Sequence, residues 1–194
     1  MTITFPTWLT IGRLAVLVPL VVLLLVDGAV ARWLALLLFV AAAATDYVDG
    51  RLARAWDQVT ALGRVLDPIA DKLLIATPLL VLLDAGEAPL VPVLVILIRE
   101  LSVSGLREAL AGEGPALPVT NLAKWKTSVQ MAALAVLIVG DTVPGGTAAG
   151  GVMLWLAAVL TAVTGLQYLK AALGRIATTS TAKARSEEHT SELQ

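Results

Sequence analysis

An all-α integral membrane protein, with six transmembrane helices and a short N-terminal interfacial segment, is the fold class that the sequence predicts. Three observations carry it. Mean hydropathy is +0.85, and 58% of the 194 residues are hydrophobic, more than a soluble domain holds. Apolar runs close to the roughly 20 residues needed to cross a bilayer recur along the whole length. Cations, finally, gather at one end of alternate runs, as they do where short loops face the cytoplasm.

Taken in order, Met1 to Arg13 holds Phe5, Pro6, Trp8 and Thr10 and reads as a surface lead-in, with Trp8 suited to an interface. A first span runs from about Trp8 to Val26 and stops at the Asp27-Gly28 turn signal. The second opens near Ala31 and ends around Arg54 to Asp57. The third runs from about Leu62 to Leu83, and Asp84 to Pro89 forms the next loop. The fourth covers Leu90 to about Ala111 and closes at Gly112 to Pro118. The fifth spans Val119 to Val139, and the Gly- and Pro-rich stretch Asp141 to Gly151 separates it from the sixth, Val152 to Leu173. Residues 1–175 are thus expected to form one membrane domain, and 176–194 a polar tail. The last part of that tail, Arg185 to Gln194, is unlike everything before it and reads as a non-native scar. No removable signal peptide is expected at the start.

With six spans, both termini and the ends bearing Arg51, Arg54, Arg64, Lys72, Arg99, Arg107, Lys124, Lys126, Lys170 and Arg175 share one side. Only Arg32 falls clearly on the other, so the cation-rich side is expected in the cytoplasm. Trp33, Trp56, Trp125 and Trp155 read as interface or packing aromatics, and Glu113 and Asp141 as loop solvation.

The chemistry gathers at Asp46-Tyr-Val-Asp49-Gly50-Arg-Leu-Ala53-Arg54, followed by Gly63, Asp67 and Asp71. On helices, Asp46 and Asp49 share a face, as do Asp67 and Asp71. Were the two helices antiparallel neighbours, these carboxylates would converge on one point, which is what a pair of divalent cations needs. An Asp at the centre of a spanning helix costs roughly 2.5–3.5 kcal/mol, so four in one hairpin require a function or a position at the helix ends. A solvated cluster paired with Arg51, Arg54 and Arg64 is the plainer alternative. Gly50, Ala53 and Gly63 leave room on the acidic face, although small residues in membrane helices also serve close packing. There is no cysteine, and the single histidine, His189, lies in the tail, so thiolate and imidazole chemistry have no residues to use.

The pattern Asp46-x-x-Asp49-Gly50-x-x-Ala53-Arg54, then Gly63, Asp67 and Asp71, resembles the signature of the CDP-alcohol phosphotransferase family at every position. Pro6-x-x-Leu9-Thr10-x-x-Arg13, Leu66 to Leu74, Arg99-Glu-Leu101 with Gly105-Leu-Arg107, and Lys124 to Thr127 with Gln130-Met131 resemble the branch that makes phosphatidylglycerophosphate. Thr7 and Ala123 stand where that branch usually has Asn and Gly.

The resemblance implies a six-helix homodimer in a bacterial inner membrane, with its site facing the cytoplasm. It implies transfer of a phosphatidyl group from CDP-diacylglycerol to sn-glycerol 3-phosphate, releasing CMP, with no nucleic-acid partner. Asp46, Asp49, Asp67 and Asp71 would bind two ions, Mg²⁺ or Mn²⁺, with Asp71 also the general base. Gly50, Ala53, Arg54 and Gly63 would line the CDP portion. Arg99, Arg107, Lys124 and Lys126 are the candidates for the acceptor phosphate. Arg107 stands two turns beyond Arg99 on one face, and one of the two lysines reads as a snorkelling flank. Arg13 is a weaker candidate. Inositol phosphate, phosphatidylglycerol or serine are alternative acceptors, and a divalent-cation transporter is the alternative from another class. That last reading requires a polar path beyond the motif, where Ala35–Ala44 and Leu73–Leu83 are apolar.

Overall fold

The computed structural model describes the backbone of residues 5–56, 61–110 and 121–191, and their side chains outside 5–7, 46–56, 61–62, 64, 121–124 and 176–191. Within it the chain forms six helices: α1 (Phe5–Leu25), α2 (Ala29–Trp56), α3 (Ala61–Asp84), α4 (Leu90–Ala109), α5 (Asn121–Ile138) and α6 (Gly146–Ser191). A single 3-10 turn, Gly140–Thr142, stands between the last two, and no strand occurs among the described residues.

The apolar periods place these helices close to their expected bounds, with two differences. Among the described residues no separate lead-in precedes the first span, because α1 runs unbroken from Phe5. Pro19 lies inside that helix, where it removes one N–H without ending it. The expected loop Asp141–Gly151 is shorter than predicted, since α6 starts at Gly146, and the helix does not stop with its apolar run at Leu173 but continues to Ser191.

α1 packs on α2 and α3, α6 packs on α4 and α5, and contacts of α2 with α5 and of α3 with α4 and α5 join the two groups. Leu20, Phe39, Leu79, Ile96, Leu134 and Leu154, one from each helix, meet in a continuous buried core. The outside is equally apolar: Val18, Leu37, Leu80, Ile98 and Leu166 are all half or more exposed. Helices apolar on both faces are built for lipid, not water. By length and composition, Trp8–Leu25 and Gly146–Arg175 can each cross a membrane, whereas Ala29–Thr45 and Trp125–Ile138 are shorter apolar stretches. Charged residues interrupt the remainder at the end that carries the site.

The other end is tied by charge. Gly86 takes a positive φ of 75°, and the turn after α3 closes as Gly86 N–H donates to the Leu83 carbonyl and Glu87 N–H to that of Leu82. This brings the Glu87 carboxylate onto the buried Arg32 of α2, which binds it through Nη1 at 3.0 Å and through Nη2. Asp141 completes the cluster, 3.4 Å from Arg32 Nε, so it is an ion-pair partner and not mere loop solvation.

Candidate active site

Asp67 and Asp71 stand one turn apart on α3, so their carboxylates emerge from one face. Each is met by a residue of α1. Thr10 donates its hydroxyl to Asp67 Oδ1 at 2.5 Å, and Arg13 Nη1 donates to Asp71 Oδ1 at 2.8 Å. Thr10 and Arg13 are themselves almost one turn apart, so advancing along α1 advances along α3 and the two helices run in the same direction. Both α1 residues are buried, while half of the Asp71 side chain is exposed. The carboxylates are therefore gripped from behind and presented in front. Arg13, read from the sequence as the weakest acceptor candidate, has an acidic partner instead.

In front of the pair lies a cavity of about 450 Å³. Its far wall is cationic: Arg99 and Arg107 come from α4 and Lys126 from α5, with Lys72 of α3 beside the carboxylates. Arg99 and Arg107 reach it together because eight residues are close to two helical turns. Arg107 is exposed, and its guanidinium sits 5.7 Å from the Tyr168 ring centroid of α6. Lys126 is buried and is no snorkelling flank: its Nζ binds Glu100 Oε1, which also accepts from Arg99 Nη1 at 3.1 Å. One carboxylate thus holds two cations of the cavity wall. Glu100 was not among the expected site residues, and its place directly after Arg99 was the one signal for it. Trp125, next to Lys126, is exposed, as an interface aromatic would be.

Gly63 is buried near the start of α3. The positions of Asp46, Asp49, Gly50, Ala53 and Arg54 fall on the last turns of α2, and that of Lys124 on the first turn of α5. The side chains at these six positions lie outside the described residues, as do those of Trp56 and Glu113. Among the described residues no three metal-ligating side chains come together, so the described donor set is Asp67 with Asp71. Those two fit a hard divalent ion: both offer carboxylate oxygens to an open cavity, and neither a thiolate nor an imidazole is among its lining residues.

What the arrangement can do follows from its polarity. A carboxylate pair faces a group of cations across a space large enough for a small anionic molecule. A hydroxyl on a phosphorylated ligand could therefore meet the acidic side while its phosphate meets the basic side.

Comparison with known proteins gives the same direction. Residues 3–163 match the family described as CDP-alcohol phosphatidyltransferase. A CDP-diacylglycerol–glycerol-3-phosphate 3-phosphatidyltransferase from Rickettsia bellii is 43% identical over 169 residues, covering 86% of this chain and 93% of that protein. Its counterpart from Rickettsia typhi is 44% identical over 169 residues, covering 86% and 95%. A CMP-forming cardiolipin synthase from Oryza sativa is 38% identical over 150 residues, covering 70% of this chain and 46% of that protein.

Proposed function

The chain belongs to the CDP-alcohol phosphatidyltransferase family, and from that premise we propose that it moves a phosphatidyl group from CDP-diacylglycerol to sn-glycerol 3-phosphate, releasing CMP. The observation that carries the choice of acceptor is the cavity in which Arg99, Arg107 and Lys126 face Asp67 and Asp71. A phosphomonoester dianion needs such a group of donors, and an uncharged or zwitterionic acceptor does not. The names of the Rickettsia relatives support the same donor and acceptor.

In the proposed reaction the acceptor phosphate lies against Arg99, Arg107, Lys126 and Lys124. This directs its free hydroxyl toward α3. The Asp71 carboxylate takes the hydroxyl proton as the oxygen attacks the β-phosphorus, the one that carries diacylglycerol. The bond from that phosphorus to the bridging oxygen breaks, and the electron pair leaves with CMP. Two hard divalent ions, Mg²⁺ or Mn²⁺, held by Asp46, Asp49, Asp67 and Asp71, would neutralise the diphosphate and its developing charge. Arg13 and Thr10 keep Asp71 and Asp67 turned to the cavity throughout. Gly50, Ala53, Arg54 and Gly63 line the cytidine side.

Six spans, cytoplasmic termini, a homodimer and a bacterial inner membrane complete the proposal. The cation-rich helix ends, the apolar outer faces and the parallel course of α1 and α3 support this orientation.

One other acceptor has an observation in its favour, since a cardiolipin synthase is 38% identical: phosphatidylglycerol, whose phosphodiester carries a single charge. The test is CMP release by purified protein with CDP-diacylglycerol and Mg²⁺, each acceptor offered separately, beside Asp71→Asn. Release with glycerol 3-phosphate alone, lost in the variant, is expected. Release with phosphatidylglycerol instead would move the chain to the second reading. Folded protein that releases CMP with neither would end both.

A further inference from the structure

Arg99 is held at two points along its length. Its Nη1 donates to Glu100 Oε1 at 3.1 Å, and its side chain is 14% exposed. Nε is buried without a hydrogen-bond partner. The stem, meanwhile, crosses from α4 onto the surface of α6 at Gly165. A Cβ placed on Gly165 would lie 2.7 Å from Arg99 Cγ, 3.5 Å from Nε and 3.7 Å from Cδ. The first of these is closer than carbon atoms can approach. Cγ is the second atom of the stem, so any displacement there is carried through to the guanidinium.

A glycine in mid-helix is unfavourable relative to alanine and calls for a local reason. On α6 such reasons are not general. Nothing lies within 4 Å of a Cβ at Gly151 or Gly174, and Gly150 makes room for Leu137 of α5, far along the helix from the cavity. At Gly165 the space is occupied by a cavity-wall cation.

We propose that Gly165 is a positioning residue for the acceptor phosphate: the notch it leaves in α6 sets the course of the Arg99 stem and so the place of its guanidinium. The proposal rests on the reading of Arg99 as an acceptor-phosphate ligand. It also assigns a role in the site to the last helix, where the sequence offered no motif.

The experiment is a double-mutant cycle read in acceptor KM, donor KM and kcat, using purified full-length protein in nanodiscs. The variants are Gly165→Ala, Arg99→Ala, the two together, and Gly151→Ala as the control for adding a methyl to α6. Gly165→Ala should raise the KM for glycerol 3-phosphate about tenfold, comparable to losing much of one charged hydrogen bond. Donor KM should stay as in the Gly151→Ala control. With the stem gone there is nothing for the methyl to displace, so the double variant should match Arg99→Ala. An unchanged acceptor KM in Gly165→Ala, beside a raised one in Arg99→Ala, would overturn the positioning role alone. The same factor appearing in both backgrounds would also overturn it, because the glycine would then act on helix packing. An unchanged acceptor KM in Arg99→Ala would remove the acceptor reading and this proposal with it.

Discussion

Arg13 is the residue on which the geometry of the proposed base depends. Its guanidinium is buried against α3 and reaches Asp71 Oδ1 at 2.8 Å, whereas the carboxylate itself stands half in the cavity. A planar guanidinium donates along fixed N–H directions and so orients the carboxylate oxygen that it meets, which a freely rotating lysine ammonium does less well. Arg13→Met should therefore lower kcat about a hundredfold, the scale of losing one preorganised charged contact, while acceptor KM changes little. Arg13→Lys should recover part of the loss, and Thr10→Val, which removes one neutral donor from Asp67, should cost only a few-fold. A rise confined to acceptor KM would return Arg13 to the acceptor cradle. None of these contacts could be read from spacing, since Thr10 and Arg13 lie 57 and 58 residues from their partners. The acidic pair itself was legible, because Asp67 and Asp71 are one helical turn apart within a single element. Lys126 was half legible: its sequence position placed it near the site, but only the packing of both α4 and α5 on α6 brings it to Glu100.

At the scale of elements, the helix ends opposite the cavity are fastened by Arg32, Glu87 and Asp141, joining α2, the α3–α4 turn and the turn before α6. Arg32 and Glu87 are both largely buried, so removing one leaves the other's charge unpaired. Arg32→Met should cost about 3 kcal/mol, read as a lowered thermal midpoint in detergent. Arg32→Met with Glu87→Gln should recover much of that, since the orphaned charge goes too. Specific activity of the folded fraction should remain, because the cluster lies at the helix ends away from Asp71 and Arg99; a lost activity with an unchanged midpoint would contradict this. The boundaries that sequence reasoning missed have their own physical reason. Glycines between residues 145 and 151 look like loop punctuation, yet Gly150 sits where α6 presses on Leu137, and a Cβ there would stand only 2.7 Å from Leu137 Cγ. Close packing, not a turn, explains that glycine. Beyond Leu173 the hydropathy falls but no proline intervenes before Ser191. Loss of apolar character ends a span without ending a helix.

For the whole molecule, the question is which way it faces. The chain's described surface carries large apolar side chains on every helix, while its charged groups divide into the cavity end and the Arg32 end. Most cations belong to the cavity end, and the positive-inside bias supports the proposal that this end faces the cytoplasm. The absence of cysteine makes this directly testable, since any introduced thiol is unique. Ala85→Cys puts one on the exposed turn between α3 and α4, and Glu108→Cys puts one on the exposed last turn of α4. The Ala85 position should react with a membrane-impermeant maleimide on intact cells, and the Glu108 position only once the membrane is opened. The reverse pattern would turn the molecule over and leave the site without access to a cytoplasmic acceptor. Reaction of both positions in intact cells would mean that these two ends of α4 share one side, and α4 could not then be a span. Reaction on opposite sides makes α4 a crossing element, with Arg99 and Arg107 on its cytoplasmic half, close enough to the aqueous phase for a soluble phosphate to reach them.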